Sequence, residues 1–457
     1  MSKRPGLLGS TFRSLSVRNF RLFASGQILS VAGTWMMVVA QDWLVLSLSG
    51  DSGTALGTVT ALQFTPMLLL TLYGGRLADR HDKRLLLTVT NLVSGVLALL
   101  LAALALSGTA QLWHVYLFAL ALGTVNAFEV PARISFVREL VGPELLPNAS
   151  ALSAAYFNTA RVVGPAVAGL VISAAGTGPV MLLNAASYLA TVVGLRMMRP
   201  AELRDRATGA GPAKVADGLR YLASRADLGL MLALVGVVSL FGFNFHLTLP
   251  LAAKSVFGAD ASAFGLLTTA LAAGSLLAAL VTTARRERPA ARTVLVAALA
   301  FGALEAAAGW APTFPAALVL LFLTGYAMTY FAQAANHRIQ LGSDPRFTGR
   351  VMALYTLILQ GSSPLGALFV GWLAEHHSVR AGLYLGGLAS LAAALAALVA
   401  ERFRARGARA ASPSDGPYDG GTDRLPQGKG EEHADHDQGQ GHDQGQGHEH
   451  DVSRPRR

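Results

Sequence analysis

The chain has 457 residues, 52% of them apolar and only 14% charged, with no cysteine and a formal net charge of +10. A soluble domain carries roughly 25% charged residues, so this composition lacks the polar surface needed to hold the chain in water; lipid is the solvent left. The absence of cysteine excludes disulfide frameworks, thiolate nucleophiles, iron–sulfur ligation and cysteine zinc sites together.

Apolar stretches of about 17 to 25 residues recur along the chain, which is the signature of membrane-crossing helices rather than of a barrel. About twelve are predicted. The first six are Ser25–Leu48, Ala55–Gly74, Leu85–Ser107, Leu112–Val130, Ala149–Ala174 and Pro179–Met197. The second six are Leu228–Leu251, Ala263–Thr283, Val294–Trp310, Phe314–Ala335, Val351–Glu375 and Ala381–Val399. The polar N-terminal arm followed by a full-length span argues against a cleaved signal peptide, whose apolar region is shorter.

Cations near span ends are retained in the cytoplasm. The N-terminal arm and the even-numbered connections hold nearly all of them, including Arg76, Arg80, Lys83, Arg84, Arg133, Arg138, Arg285, Arg286, Arg288, Arg338, Arg346 and Arg350. The odd-numbered connections hold only Lys254 and Arg380. Both termini are therefore expected in the cytoplasm of a multi-pass protein of the plasma (inner) membrane. The positive net charge then follows from topology and needs no nucleic-acid partner.

Four segments are expected: an N-terminal six-helix bundle over 1–200, a cytoplasmic linker over 201–227, a second six-helix bundle over 228–406 and a polar tail over 407–457. The halves look duplicated. With Pro165 laid on Pro364, Ala154 meets Ala353, Tyr156 meets Tyr355 and Ala168 meets Ala367; Gly57 and Thr60 likewise fall on Gly265 and Thr268. Two like halves in parallel are a repeat used by secondary transporters, with the substrate site between them near mid-membrane. No Gly-Lys-Ser/Thr phosphate cradle exists to serve an ATP-driven pump. Ion-driven transport, facilitated diffusion, or a sensor or scaffold role remains, and a channel is less favoured without a filter loop or acid ring.

Two strings carry chemistry. GGRLADRHDKR, from Gly74 to Arg84, joins a helix end, an acid and a cation cluster. NTARVVGPAVAG, from Asn158 to Gly169, sets glycine beside proline inside a span, where a backbone hydrogen bond is lost and a neighbour packs closely. The first resembles the signature loop of the major facilitator superfamily. That resemblance gives Gly75 a helix contact, turns Asp79 toward the start of the eleventh span, and pairs Arg80, Lys83 and Arg84 across the two halves to steady the outward-facing state. Asp82 stands where that family usually has a second glycine. The second string is similar to the antiporter motif of drug exporters, carried here by Gly164, Pro165 and Gly169, with Ala168 a departure. GTWMMVVAQDWLVLSL, NAFEVPAR, FGFNFHLTLPL and GRVMALY narrow the likeness to the enterobactin-exporter and macrolide-efflux branch of transmembrane secretion effectors.

An ionisable group at mid-helix costs roughly 2.5 to 3.5 kcal/mol on insertion scales, so each needs a partner, a wet cavity or a function. Asp42 falls in the outer half of the first span, a helix that lines the cavity in this superfamily, where a carboxyl either takes and releases a proton or serves as a structural hydrogen-bonded acid near the outer mouth. Arg161, near the middle of the fifth span, is expected to meet a carboxylate or an anionic substrate. Glu129 and Arg133 are one turn apart and read as a gate or structural pair before a proton-transfer pair. Glu305 belongs to a span that is peripheral in the superfamily and is poorly placed for coupling; His246 is a further relay candidate. Gln27, Asn126, Asn158, Asn244, Tyr330, Gln333, Asn336 and Gln360, with Trp35, Phe128, Phe241, Phe243 and Phe245, are the candidates for an amphiphilic cavity. In the tail, His433, His436, His442, His448 and His450 alternate with acids and glycines, a composition that is either solvated or binds zinc, nickel or copper loosely.

The expectation is an all-helical membrane transporter, not an enzyme, with no cofactor and with lipid, protons and a small amphiphile as partners. Export by proton antiport is favoured. A uniporter or importer, or a sensor or assembly factor on the same fold, is the alternative.

Overall fold

The computed structural model describes residues 12–204, 215–283 and 287–411, and every regular element among them is helical. The chain forms two compact units, Met1–Ala405, which holds both sets of spans, and Arg406–Arg457. Arg285, Arg286 and the five tail histidines lie outside the described residues.

After a short 3-10 turn come α1 (Arg18–Ser49), α2 (Gly53–Arg80), α3 (Lys83–Leu106), α4 (Leu112–Ala175) and α5 (Thr177–Arg196). The linker ends in α6 (Val215–Ser224). The second half contains α7 (Ala226–Gly242), α8 (Phe245–Leu251), a π turn (Ala252–Val256), α9 (Ala261–Thr283), α10 (Ala291–Gly309), α11 (Phe314–Gly342), α12 (Thr348–His376) and α13 (Val379–Ala411). Helix starts follow local chemistry. The Ser52 side chain accepts from Ala55 N to cap α2, and Asp82 accepts from the backbone N–H of Arg84 and Leu85 to cap α3.

Among the described residues, eleven helices are long and apolar enough to cross a membrane. One of them, α4, has 64 residues, or about 96 Å at 1.5 Å per residue, far beyond a hydrocarbon layer of about 30 Å. It is two spans joined at Gly142, whose φ of 73° lies in the left-handed region that glycine tolerates. Pro143 then opens the second limb at a position where no N–H is needed. The two limbs bring the crossings to twelve. The expected end of the fourth span at Val130 is corrected, since the helix runs on through Pro131 to Val141.

The seventh span differs from expectation in another way. It is broken at Phe243 and Asn244, so that α7 and α8 are half-helices, and the Asn244 side chain donates to Leu240 O at 2.8 Å. The outer surface carries large apolar side chains, with Leu69 and Leu72 exposed by 70% and 73%. Such residues suit a lipid-facing wall and would be costly in water.

Two close contacts join the halves. Span 2 packs on span 11, where a Cβ on Gly57 would fall 2.6 Å from Ala367 O; span 8 packs on span 5, where a Cβ on Gly169 would fall 2.6 Å from Ala261 O. The contacts are near-equivalent under the duplicated register, since Gly57 matches Gly265 and Ala367 matches Ala168. Small residues permit this approach because packing, rather than the hydrophobic effect, holds helices together in lipid.

Candidate functional site

A cavity of about 340 Å³ lies between the halves, walled by spans 1, 2 and 5 on one side and 7, 8, 10 and 11 on the other. Asp42, Arg161 and His246 all line it. Asp42 is 6% exposed, and its Oδ2 finds no hydrogen-bond partner among the described residues. Arg161 lies over the Trp35 ring at 5.9 Å, and His246 stacks on Phe64 of the other half at 6.2 Å between centroids. Among the described residues Arg161 makes no ion pair, so the carboxylate expected beside it is not there, although it shares the hollow with Asp42. The remaining wall is aromatic and aliphatic, with Phe243, Phe245 and Phe264 prominent. A concave apolar site with few polar groups is built to take an amphiphilic small molecule.

A second, polar chamber of about 190 Å³ lies within the first half and shares Trp35 and Val38 with the central cavity. Gln27, Asn126 and the Glu129–Arg133 pair line it, the pair closing at 2.9 Å.

The other cavity candidates are dispersed. Asn158 donates to Ala154 O of its own helix, Phe128 packs edge-on against Tyr73, and Phe241 packs edge-on against Phe369. Tyr330 stacks with Tyr326, and Asn336 faces the Tyr355 hydroxyl. Gln333 and Gln360 are half-buried, Asn244 is spent capping the broken helix, and none of these lines the central cavity. Residues that pattern reading missed do line it: Phe64, Phe264, Thr268, Met328 and Ser363. Phe64, Phe264 and Met328 carry no polar contrast within their apolar spans, and Thr268 and Ser363 are small hydroxyl residues of a kind common throughout these helices.

Among the described residues the charged contacts between the halves latch them at one face, and deeper in the membrane Thr269 Oγ1 donates to Val162 O at 3.0 Å. Lys254 reaches Asp51 at 2.5 Å and lies 5.6 Å over the Trp43 ring. Glu375 accepts from Ser52 Oγ at 2.7 Å, from Thr54 N at 2.9 Å and from Thr54 Oγ1. Ser173 donates to Asp260 at 2.9 Å, and hydrogen bonds from Ser262 and Ser173 hold the Asp260 carboxyl below its usual range. At the opposite face, among the described residues, no ion pair or side-chain hydrogen bond joins the halves.

That opposite face carries the GGRLADRHDKR loop, where one expectation is corrected and Lys83 and Arg84 have partners inside their own half. Gly74, not Gly75, makes the helix contact: a Cβ on Gly74 would meet the Ala127 backbone, whereas Gly75 faces open space. Lys83 pairs with Glu139 at 2.6 Å inside its own half, and Arg84 donates to Leu195 O and Arg196 O, also its own half. Asp79 and Arg80 are exposed and make no ion pair among the described residues. None of these bonds of Lys83 and Arg84 reaches the second half. Asp82, at the position where the resemblance puts a glycine, caps the next helix. In the other motif, a Cβ on Gly164 would fall 2.8 Å from Trp35 Cβ, and Pro165 lines the cavity.

Residues 9–421 match the family described as transmembrane secretion effector. The chain belongs to that family, within the major facilitator superfamily, whose members are transporters and not enzymes. It is 26% identical over 399 residues to the multidrug efflux pump Tap of Mycolicibacterium fortuitum, covering 84% of this chain and 95% of that protein. The staphyloferrin A transporter of Staphylococcus aureus is 26% identical, covering 57% and 66% of the two chains, and macrolide efflux protein A of Streptococcus pyogenes is 23% identical, covering 79% and 91%. In fold it resembles the crystal structure of nucleoside transporter NupG, with a TM-score of 0.66 at 12% identity, over 83% of this chain and 98% of the other.

Proposed function

We propose that this transporter exports amphiphilic small molecules in exchange for protons, with both termini in the cytoplasm. The observation that supports the reading is the central cavity, where Asp42 and Arg161 of the first half, neither in an ion pair among the described residues, face the aromatic wall of the second. The relatives whose printed names concern drugs, macrolides and a siderophore support a cargo of this kind. The rings take the apolar body, and Arg161 takes an anionic or strongly polar group. With the cation-rich loops in the cytoplasm, the latched face is the outer one and the cavity opens inward, ready to load cargo.

The cycle follows from differential binding. Cargo and proton compete for the same preformed hollow, so proton arrival at Asp42 from outside displaces cargo, and deprotonation inside restores the loading state. When the halves rock, the outer latch opens and the loop of Asp79, Arg80, Lys83 and Arg84 closes on the second half. Gly164 and Gly169 keep span 5 close to spans 1 and 8 throughout.

The test is uptake into inverted vesicles, with siderophores, macrolides and dyes as cargo. Asp42→Asn is expected to abolish uptake driven by a proton gradient while leaving cargo binding within about threefold of wild type. Flux that ignores both the gradient and the substitution would remove the antiport reading.

A further inference from the structure

Glu305 lies in α10, away from the central cavity, and is 2% exposed; it makes no ion pair among the described residues, and its Oε2 has no hydrogen-bond partner there. It is not alone. Ser239 of α7 and Ser390 of α13, 2% and 0% exposed, each bury a hydroxyl oxygen without a partner. The three come from three spans, and two of the oxygens meet at one point of the backbone of the helix that carries the third. A Cβ on Gly242 would meet Glu305 Oε2 and Ser390 Oγ, each at 2.9 Å, and Ser239 is three residues earlier on the same helical face. A Cβ on Gly386 of α13 would meet Glu305 Oε1 at 2.9 Å and Phe241 O at 2.6 Å. Two glycines thus make room for a carboxylate whose Oε2 finds no partner among the described residues.

We infer that Ser239, Glu305 and Ser390 form a buried sodium site. Buried polar atoms are nearly always satisfied, so two orphans meeting at Gly242, with a third one helical turn away on the same helix, point to a missing ligand. The donors are carboxylate, hydroxyl and, from Phe241, carbonyl oxygen, a hard set that suits a hard cation and offers nothing to a soft one. One formal negative charge balances one monovalent ion. The site also stands at the C-terminal end of α7, where the seventh span breaks and the helix dipole presents its negative pole; half-helix ends of this kind are where transporters hold coupling cations. The break is what links the site to the transport path. Phe243 and Phe245 emerge from it to line the central cavity, and both pack edge-on against Phe301, one turn from Glu305, at 5.5 and 6.4 Å. Sodium at Glu305 braces that aromatic wall from behind. The inference does not depend on what the cavity exports or on proton exchange.

The test uses the full-length protein in lipid nanodiscs, with equilibrium binding of radioactive 22Na+ and thermal unfolding in NaCl, KCl or choline chloride at constant ionic strength. The expected result is saturable binding of one ion per chain, competed by NaCl and not by KCl, with a higher Tm in NaCl than in the other salts. Ser239→Ala and Ser390→Ala delete hydroxyls that bond to nothing else, so both should fold, and each should weaken sodium binding roughly 10- to 100-fold. Glu305→Gln should abolish it and Asp42→Asn should not. Equal Tm in the three salts, no saturable 22Na+ binding in the wild type, or binding that survives in Glu305→Gln would each overturn the site.

Discussion

Removing one carboxylate from the latched face should change which side of the protein the cavity opens to. Glu375 gathers three hydrogen bonds from Ser52 and Thr54 of the other half. Buried, bonds to a charged group contribute about 1.5 to 3 kcal/mol each. Glu375 is exposed, so solvent screening brings each to about 0.2 to 1 kcal/mol, and the three together to about 0.6 to 3 kcal/mol. Glu375→Ala should therefore raise the ratio of unlatched to latched molecules roughly 3- to 150-fold. The start of α2 survives the change, because Ser52 still caps Ala55 N at 3.1 Å. The chain has no cysteine, so Thr268→Cys places a single thiol in the central cavity without further engineering. The rate at which an impermeant maleimide labels it from the latched side should rise by the same factor, and the rate from the other side should not rise. Equal rates in parent and variant from the latched side would refute the assignment of Glu375 as a latch.

Other outcomes follow from the same geometry. Lys83 and Glu139 form a buried pair at 2.6 Å, so Lys83→Met alone should cost about 3 to 5 kcal/mol, and adding Glu139→Leu should recover most of it; unfolding titrations of the single and double variants measure the difference. Asp82→Ala should lose about 0.5 to 2 kcal/mol through the uncapped start of α3, read as a lower Tm with efflux per folded molecule unchanged. Gly164→Leu would drive a side chain into Trp35, at about 1 to 3 kcal/mol of overpacking, and should suppress efflux while protein still reaches the membrane, a comparison made by vesicle uptake normalised to protein content.

Much of the fold is legible in the sequence, because lipid allows few solutions: each apolar stretch of sufficient length becomes a helix that satisfies its own backbone. The misreadings occurred where local signals competed. Pro131 looked like a helix end, yet the loss of one hydrogen bond is tolerated when neighbouring spans support the backbone. The break at Phe243 was invisible because Asn244 and Gly242 read as ordinary small or polar residues in an apolar run; only packing against Phe301 and Glu305 explains it. Asp42, Arg161 and His246 stood out because charge in a span is rare, and they share one cavity. Lys83 and Arg84 were read from the signature-loop resemblance as bridging the halves, and their partners in this state, Glu139 and the end of α5, come from distant parts of the chain that local spacing does not reveal.

At the latched face Gly53 and Gly371 meet with no side chain between them: a Cβ on either would fall within 2.6 Å of the other's carbonyl oxygen. Distance there is fixed by backbone against backbone, which has no rotamers to yield. Such a junction is made or lost as a whole. The molecules should accordingly sort into two discrete populations at this end, with no continuum of partly parted forms, and a modest shift in free energy should alter how many occupy each class without changing how wide either one gapes.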